Sequence, residues 1–370
     1  MTRAGVSGRR RPPDTGRSAV ASWVASSVED LNPGAFAFVM ATGIISTALT
    51  GDGAATASAV LAVIAAAGYV LLWAAYVWRA AWRPRRFLGD LAGPRGFSFL
   101  TLVAASEVLA SRALAARLHG VAVALIAVGA AGWLLLGYGV PLLLIHSGGP
   151  LSLRQVNGTW FIWAVGTQSV AVATASLAQH TDGTALGALA SACWAVGLLQ
   201  YLLIAALTLA RLLLEPLTPA ELVPPYWVFM GAAAISVLAG AKLLELPPGD
   251  ELLPHEVVLG LSTLLWSFCT WLIPLLLALG VWRHVLRRQP LRYETSLWSL
   301  VFPVGMYGVA TGELGRVAGW DWMTTTGTTE AWAALAVWAA AFTAMLATAA
   351  RAVYVNDPND VEDANRPYGP

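Results

Sequence analysis

The sequence predicts an all-α integral membrane protein of ten transmembrane helices, arranged as five repeated helical hairpins. Three observations predict it. Of 370 residues, 57% are hydrophobic and only 12% are charged, about half the charged share of a soluble domain. Ten apolar segments approach or exceed the length of about 20 residues that a spanning helix needs. The odd-numbered segments share a pattern that the even-numbered ones lack.

The first segment, 32–50, begins with the aromatics of GAFAF (34–38) and turns to small residues in MATG; the second, 57–78, is plain Ala, Leu and Val. The third, 94–111, begins GFSF (96–99) and continues LVAAS, and the fourth, 121–145, is again plain. The fifth, 157–179, runs GTWFIW (158–163) into AVGTQS, followed by a plain sixth at 185–209. The seventh, 226–246, follows PPYWVF (224–229) with MGAAAIS, and the eighth is 256–282. The ninth, 296–315, runs SLWSLVF (296–302) into PVGMYG, and the tenth is 330–354. Landmark positions Phe38, Phe99, Trp163, Phe229 and Leu300 are 61, 64, 66 and 71 residues apart. Such a period means a repeated unit, here an inner ring of five odd helices inside a ring of five even ones.

Nothing between the segments is long enough for a soluble domain, so residues 31–355 read as one membrane domain. Residues 1–30 are polar, with Arg9, Arg10 and Arg11 in a run and no adjacent apolar core. They read as a disordered cytoplasmic tail, not a cleavable signal, and residues 356–370 read as a second tail. Basic residues orient the chain: with the N-terminus cytoplasmic, inside segments hold 18 Lys and Arg, against Arg112, Arg117, Lys242 and Arg316 outside. Both termini are therefore expected inside, in the inner (plasma) membrane of a bacterium. One lysine beside 21 arginines, with abundant alanine, suggests a GC-rich bacterial genome. The N-termini of the odd helices would gather at the cytoplasmic mouth, each acting like about half a positive charge.

Several classes are disfavoured. Cys193 and Cys269 lie deep in apolar runs and read as small buried residues, not a disulfide or metal site. The five histidines (His119, His146, His180, His255 and His284) fall at loops or span ends. No HExxH, GxSxG, cysteine–histidine cluster or P-loop occurs, so an enzyme or an ATP-driven pump is not expected. No cofactor, metal or nucleic acid is expected either. A membrane sensor or scaffold without flux is a rival from another class, but no receiver or kinase-like domain is attached.

The ninth segment carries Pro303 mid-span and Gly305, Gly308, Gly312 and Gly315 within an arc of about 80° at 100° per residue. Proline kinks a helix and each interior glycine costs roughly 1 kcal/mol against alanine. A glycine stripe allows a neighbouring helix to approach closely. The adjoining face carries Phe302, Val309, Glu313 and Arg316. From the pattern, Phe302 is either a plug on a lumen-facing surface of small residues or a ring packed in the bundle.

Other polar candidates lie within spans. Glu107, near the outer end of the third, either pairs with Arg112 or a neighbouring helix, or is a proton site or anion brake in the outer vestibule. Glu313 and Arg316 read as an outer-mouth site or a surface pair. Thr42 and Gly43, Thr167 and Gln168 offer donors or close backbone approach to an anion, or interhelical hydrogen bonds.

Taken in order, NPGAFAFVMATGIIS (32–46), NGTWFIWAVGTQSVAVA (157–173), YWVFMGAAAIS (226–236) and LWSLVFPVG (297–305) resemble the tellurite-resistance/dicarboxylate transporter family. That family includes malate permeases, sulfite efflux pumps and plant slow anion channels. The resemblance implies a central pore lined by the inner five helices, a trimeric assembly, and a ninth-helix phenylalanine obstructing the pore, which maps onto Phe302 before the Pro303 kink. It makes Thr42, Gly43, Phe99, Glu107, Thr167, Gln168, Phe229, Gly305 and Val309 candidates for the pore lining, with Glu313 and Arg316 in the outer vestibule. One departure is Phe229, where bacterial relatives are expected to carry asparagine in YWVNMG; if that asparagine holds substrate in them, the substrate here differs.

The function expected is membrane transport of small anions: C4-dicarboxylate such as malate, sulfite, or inorganic monovalent anions. Two mechanisms compete, a channel gated by Phe302 and a proton-coupled carrier with Glu107 as the titrating group. The partners expected are the anion, the lipid bilayer and two further copies of the chain.

Overall fold

The computed structural model describes residues 28–355 except 30, 51–52, 147–151, 182–183, 248 and 251. The tails expected at 1–30 and 356–370 lie outside the described residues, apart from 28 and 29. Among the described residues the secondary structure is entirely helical. The helices are α1 (Ala37–Ala48), α2 (Ala55–Trp82), α3 (Pro84–Leu91), α4 (Thr101–Ala115), α5 (His119–His146), α6 (Phe161–Ala178), α7 (Thr184–Leu214), α8 (Val228–Leu243), α9 (His255–Val281), α10 (Trp298–Ala318) and α11 (Asp321–Val355). Among the described residues, eight helical stretches are long and apolar enough to cross a membrane. The first and ninth expected spans are not among them: α1 has 12 residues, and α10 carries Glu313, Arg316 and four glycines in its 21.

Five of the helices close a ring. Helix α1 packs on α4, α4 on α6, α6 on α8, α8 on α10, and α10 back on α1. Each holds its own partner outside: α2 on α1, α5 on α4, α7 on α6, α9 on α8 and α11 on α10. The burial contrast is steep. The most apolar windows of Gly96–Ala115 and Pro224–Leu243 are 89% buried, against 17% for Ala55–Trp82 and 11% for Asp321–Ala352. The outer helices turn Leu and Val to the surroundings, and the inner ones are packed from every side with small residues.

A repeated hydrogen bond joins each hairpin to the next. Tyr69 of α2 meets Ser106 Oγ of α4 at 2.7 Å. The indole of Trp133 on α5 donates to Thr167 of α6 at 3.0 Å, and Trp194 on α7 donates to the Ser236 carbonyl of α8 at 2.9 Å. Trp266 on α9 donates to Thr311 of α10 at 3.0 Å, and Trp338 on α11 to Thr42 of α1 at 3.0 Å. A buried indole N–H needs an acceptor, and here it finds one on the following inner helix, so the last joint closes the circle.

The boundaries depart from expectation for local reasons. The inner helices begin later because four of them are preceded by 3-10 turns, at Gly96–Leu100, Gly158–Trp160, Pro224–Trp227 and Thr295–Leu297. Helix α11 begins at Asp321, nine residues before the expected tenth segment, because threonines 324–326, 328 and 329 are accommodated on the helix. Helix α3 was not anticipated; its short PRRFLGDL stretch begins with Pro84 at the first helical position, where proline is tolerated. Gly319 ends α10 with φ +70°, the left-handed conformation glycine adopts freely. That turn lets α11 fold straight back along α10, where a Cβ on Gly327 would lie 2.6 Å from the Gly312 nitrogen. Gly308 and Gly315 likewise face α11, whereas Gly305 faces Ile44 and Ile45 of α1. The glycine stripe serves close helix approach.

Candidate functional site

All five inner helices run in the same direction, and their N-terminal turns converge on one cavity of about 480 Å³. Asn32 and Gly34, Ser98 and Thr101, Asn157 and Thr159, Pro225 and Tyr226, and Thr295, Ser296 and Ser299 line it, one group from each repeat. Two of the turns are capped alike: Asn32 Oδ1 accepts from the Gly34 N–H at 2.8 Å, and Asn157 Oδ1 from the Thr159 N–H at 2.9 Å. Converging helix N-termini present positive potential. Arg95, Arg154 and Arg211 add to it on the wall, offset by Glu221 and Glu294. The Thr218 backbone N–H and hydroxyl hold Glu221 below its ordinary carboxylate value.

At the C-terminal end of the same helices is a second cavity of about 400 Å³. Ile44 and Thr47, Glu107, Val108 and Ser111, Ser169 and Val172, Ile235 and Leu238, and Met306 and Val309 line it, with charges from Arg112, Lys242 and Glu313. The two cavities share no lining residue. On α10, Ser299 faces the first, and Met306, Val309 and Glu313 face the second. Phe302 continues this stripe within an arc of about 80° and is fully buried. Met40, Ala41, Ala104, Ala105, Val165, Gly166, Gly231 and Ala232 of the other inner helices are likewise buried. Pro303 beside Phe302 packs on Gly231, where a Cβ would lie 2.7 Å from the proline Cγ.

The other candidates separate into two groups. Glu107, Val309 and Glu313 line the second cavity. Glu313 lies 3.0 Å from Lys242 Nζ and 2.6 Å from Arg316, which also pairs with Glu245. Of the alternatives for Glu107, the pairing with Arg112 is not formed, and Arg112 donates to Thr50 at 2.8 Å. The Glu107 carboxylate instead occupies the space left by Gly129 of α5, and neither oxygen has a hydrogen-bond partner among the described residues.

The remaining candidates line neither cavity. Thr42 and Thr167 hold the indole joints, and Thr167 also donates to Gln200 at 2.7 Å. Gln168 donates to the Trp194 carbonyl at 3.2 Å. Gly43 admits Val108, whose Cγ1 would lie 2.6 Å from an added Cβ. Phe99 packs against Phe87 and Tyr76 at centroid distances of 5.1 and 5.8 Å. Phe229 stacks on Phe161 at 4.8 Å, beside Tyr201 and Phe268 of the outer helices. Cys193 and Cys269 are free and buried, and no cluster able to hold a metal occurs among the described residues. Sequence reasoning treated Arg211 only as a topology determinant. Its signal was its place, with three leucines following it in ARLLLEP before the chain leaves the helix.

Fold and cavities together define a multi-pass membrane protein in which a ring of helices brackets two chambers. Residues 30–346 match the model of the voltage-dependent anion channel family. The chain belongs to that family, the tellurite-resistance/dicarboxylate transporter family of the resemblance, a family of membrane anion transport. It is 50% identical over 147 residues to an uncharacterized membrane protein of Mycobacterium tuberculosis (H37Rv), covering 40% of this chain and 75% of that one. It is 25% identical over 196 residues to an uncharacterized transporter of Methanocaldococcus jannaschii, covering 52% and 56% of the two chains. A second uncharacterized transporter of that archaeon is 26% identical over 189 residues, 50% of this chain and 53% of the relative. The chain thus spans about half the length of the archaeal relatives it matches.

Proposed function

We propose that this protein passes small anions along the axis of the ring formed by α1, α4, α6, α8 and α10, and that Phe302 closes the path. The observation that carries this reading is the α10 stripe. Ser299 belongs to one cavity and Met306 to the other, and Phe302, fully buried, lies between these two along the helix. The anions are of the C4-dicarboxylate, sulfite or inorganic monovalent class. Five helix N-termini at one chamber attract negative charge without a fixed cationic ligand in the middle of the path.

In this reading all ten inner and outer helices cross the membrane. Helix α1 and its preceding turn make the first span, and the kinked α10 makes the ninth. The arginine-rich side, with the chamber at the helix N-termini, faces the cytoplasm of a bacterial inner membrane. Residues 31–355 act as one membrane domain, assembled as a homotrimer, as the family resemblance implies.

A second reading, proton-coupled carriage, is favoured by one observation: the Glu107 carboxylate is buried at the second chamber without a hydrogen-bond partner among the described residues. Voltage-driven uptake of chloride, nitrate, sulfite and malate by proteoliposomes at symmetric pH separates the two. Uptake above that of protein-free vesicles is expected for the channel; a requirement for a pH gradient would support the carrier.

A further inference from the structure

Arg211 lies in the last turn of α7, an outer helix, where an arginine that only fixed topology would extend into water. It is 1% exposed and lines the N-terminal cavity instead. Burying a guanidinium is costly unless its donors are well paired, and these are not. Nη1 reaches the Glu215 and Pro216 carbonyls at 3.4 and 3.3 Å, and Nη2 reaches Glu221 Oε1 at 3.3 Å. All three are long against the usual 2.9–3.0 Å. Nε is buried and has no partner among the described residues.

The neighbouring carboxylates are held elsewhere. Glu215 accepts from Arg154 Nε at 2.8 Å. Glu221 accepts from the Thr218 N–H and hydroxyl through Oε2, both at 2.8 Å. Its Oε1 therefore rests on Arg211 only loosely, as a carboxylate the protein supplies itself. The buried fork is left short of acceptors in a cavity ringed by helix N-termini.

A guanidinium fork matches planar oxyanions in a bidentate way, which a spherical halide cannot reproduce. We propose that Arg211 is the specificity residue of the N-terminal cavity, selecting carboxylates and nitrate over halides, and that an incoming oxyanion displaces Glu221 from it. This rests on the conduction reading and names its substrate class.

The test is Arg211→Lys, which keeps the charge and loses the fork, beside Glu221→Gln, which leaves the fork and removes the competing carboxylate. Two readouts are used on full-length protein: nitrate and chloride flux in proteoliposomes, and nitrate and malate binding to the detergent-solubilised protein by calorimetry. Arg211→Lys is expected to retain chloride flux and to lower the nitrate-to-chloride ratio about tenfold, the effect of one charge-assisted hydrogen bond. Glu221→Gln is expected to tighten nitrate and malate binding. An unchanged ratio in a folded Arg211→Lys protein would overturn the proposal, and if that variant does not fold, unchanged binding in Glu221→Gln would do so. Binding that depends on Arg211 in a protein without flux would sink the conduction reading and keep this site. Flux without oxyanion preference would do the reverse.

Discussion

Trp338 and Thr42 stand 296 residues apart in sequence and 3.0 Å apart in space, and their hydrogen bond fastens the last hairpin to the first. Thr42 also donates to the Phe38 carbonyl at 2.7 Å, so its one hydroxyl proton is already used within the protein. Thr42→Val leaves a buried indole N–H without an acceptor. Interhelical hydrogen bonds in membranes contribute roughly 0.6–2 kcal/mol. The thermal midpoint in detergent should therefore fall, with flux per folded molecule unchanged; a selective loss of flux at wild-type stability would return Thr42 to the pathway.

Gly231 makes room for Pro303 beside Phe302. Because Pro303 is rigid and a Cβ at 231 would lie 2.7 Å from its Cγ, Gly231→Ala must displace backbone. Overpacking of this kind costs about 1–3 kcal/mol. Gly139→Ala, where nothing lies within 4 Å of the added methyl, should leave stability equal or higher. Melting both variants in one detergent checks the contrast.

The second chamber is lined by Arg112 and Lys242 beside Glu107 and Glu313. Lys242 Nζ also lies 2.9 Å from Glu245. Lys242→Met removes one positive charge and should lower anion flux several-fold at low ionic strength, with the difference shrinking as salt screens it. A salt-independent loss would point to folding, not to the field.

Glu107 tests the rival mechanism. In the channel account, Glu107→Gln keeps voltage-driven flux and removes a buried carboxylate that lacks a hydrogen-bond partner among the described residues. Flux measured across a range of pH values should match or exceed wild type. Transport that survives but loses a pH dependence present in the wild type would move the account to proton coupling.

Much of this architecture was legible in the sequence because lipid imposes length and hydropathy on every outer helix, and because the repeat recurs in aromatic and small residues. The Pro303 kink drew attention to Phe302, but the pattern alone left it either a plug or a ring packed in the bundle. The cavity-lining faces were harder. Inner helices are packed on all sides, so no amphipathic stripe separates a lumen face from a packing face. The sequence therefore left Thr42, Thr167 and Gln168 as either donors to an anion or interhelical hydrogen bonds, and they join helices. Phe99 and Phe229 were candidates for the pore lining; Phe99 packs on Phe87 and Tyr76, and Phe229 on Phe161, Tyr201 and Phe268. Arg211 was missed because an arginine near a helix end resembles a topology signal, and only the three leucines that follow it hint that it lies inside the span.

The central claim is that Phe302 alone closes a path between two chambers of one protein. The most direct measurement is anion uptake into proteoliposomes at fixed voltage, wild type beside Phe302→Ala, with folding checked by tryptophan fluorescence and gel filtration. The account predicts a large rise in flux for the alanine variant with the anion rank order preserved. Two folded proteins with equal flux, or with none for any anion, would contradict it.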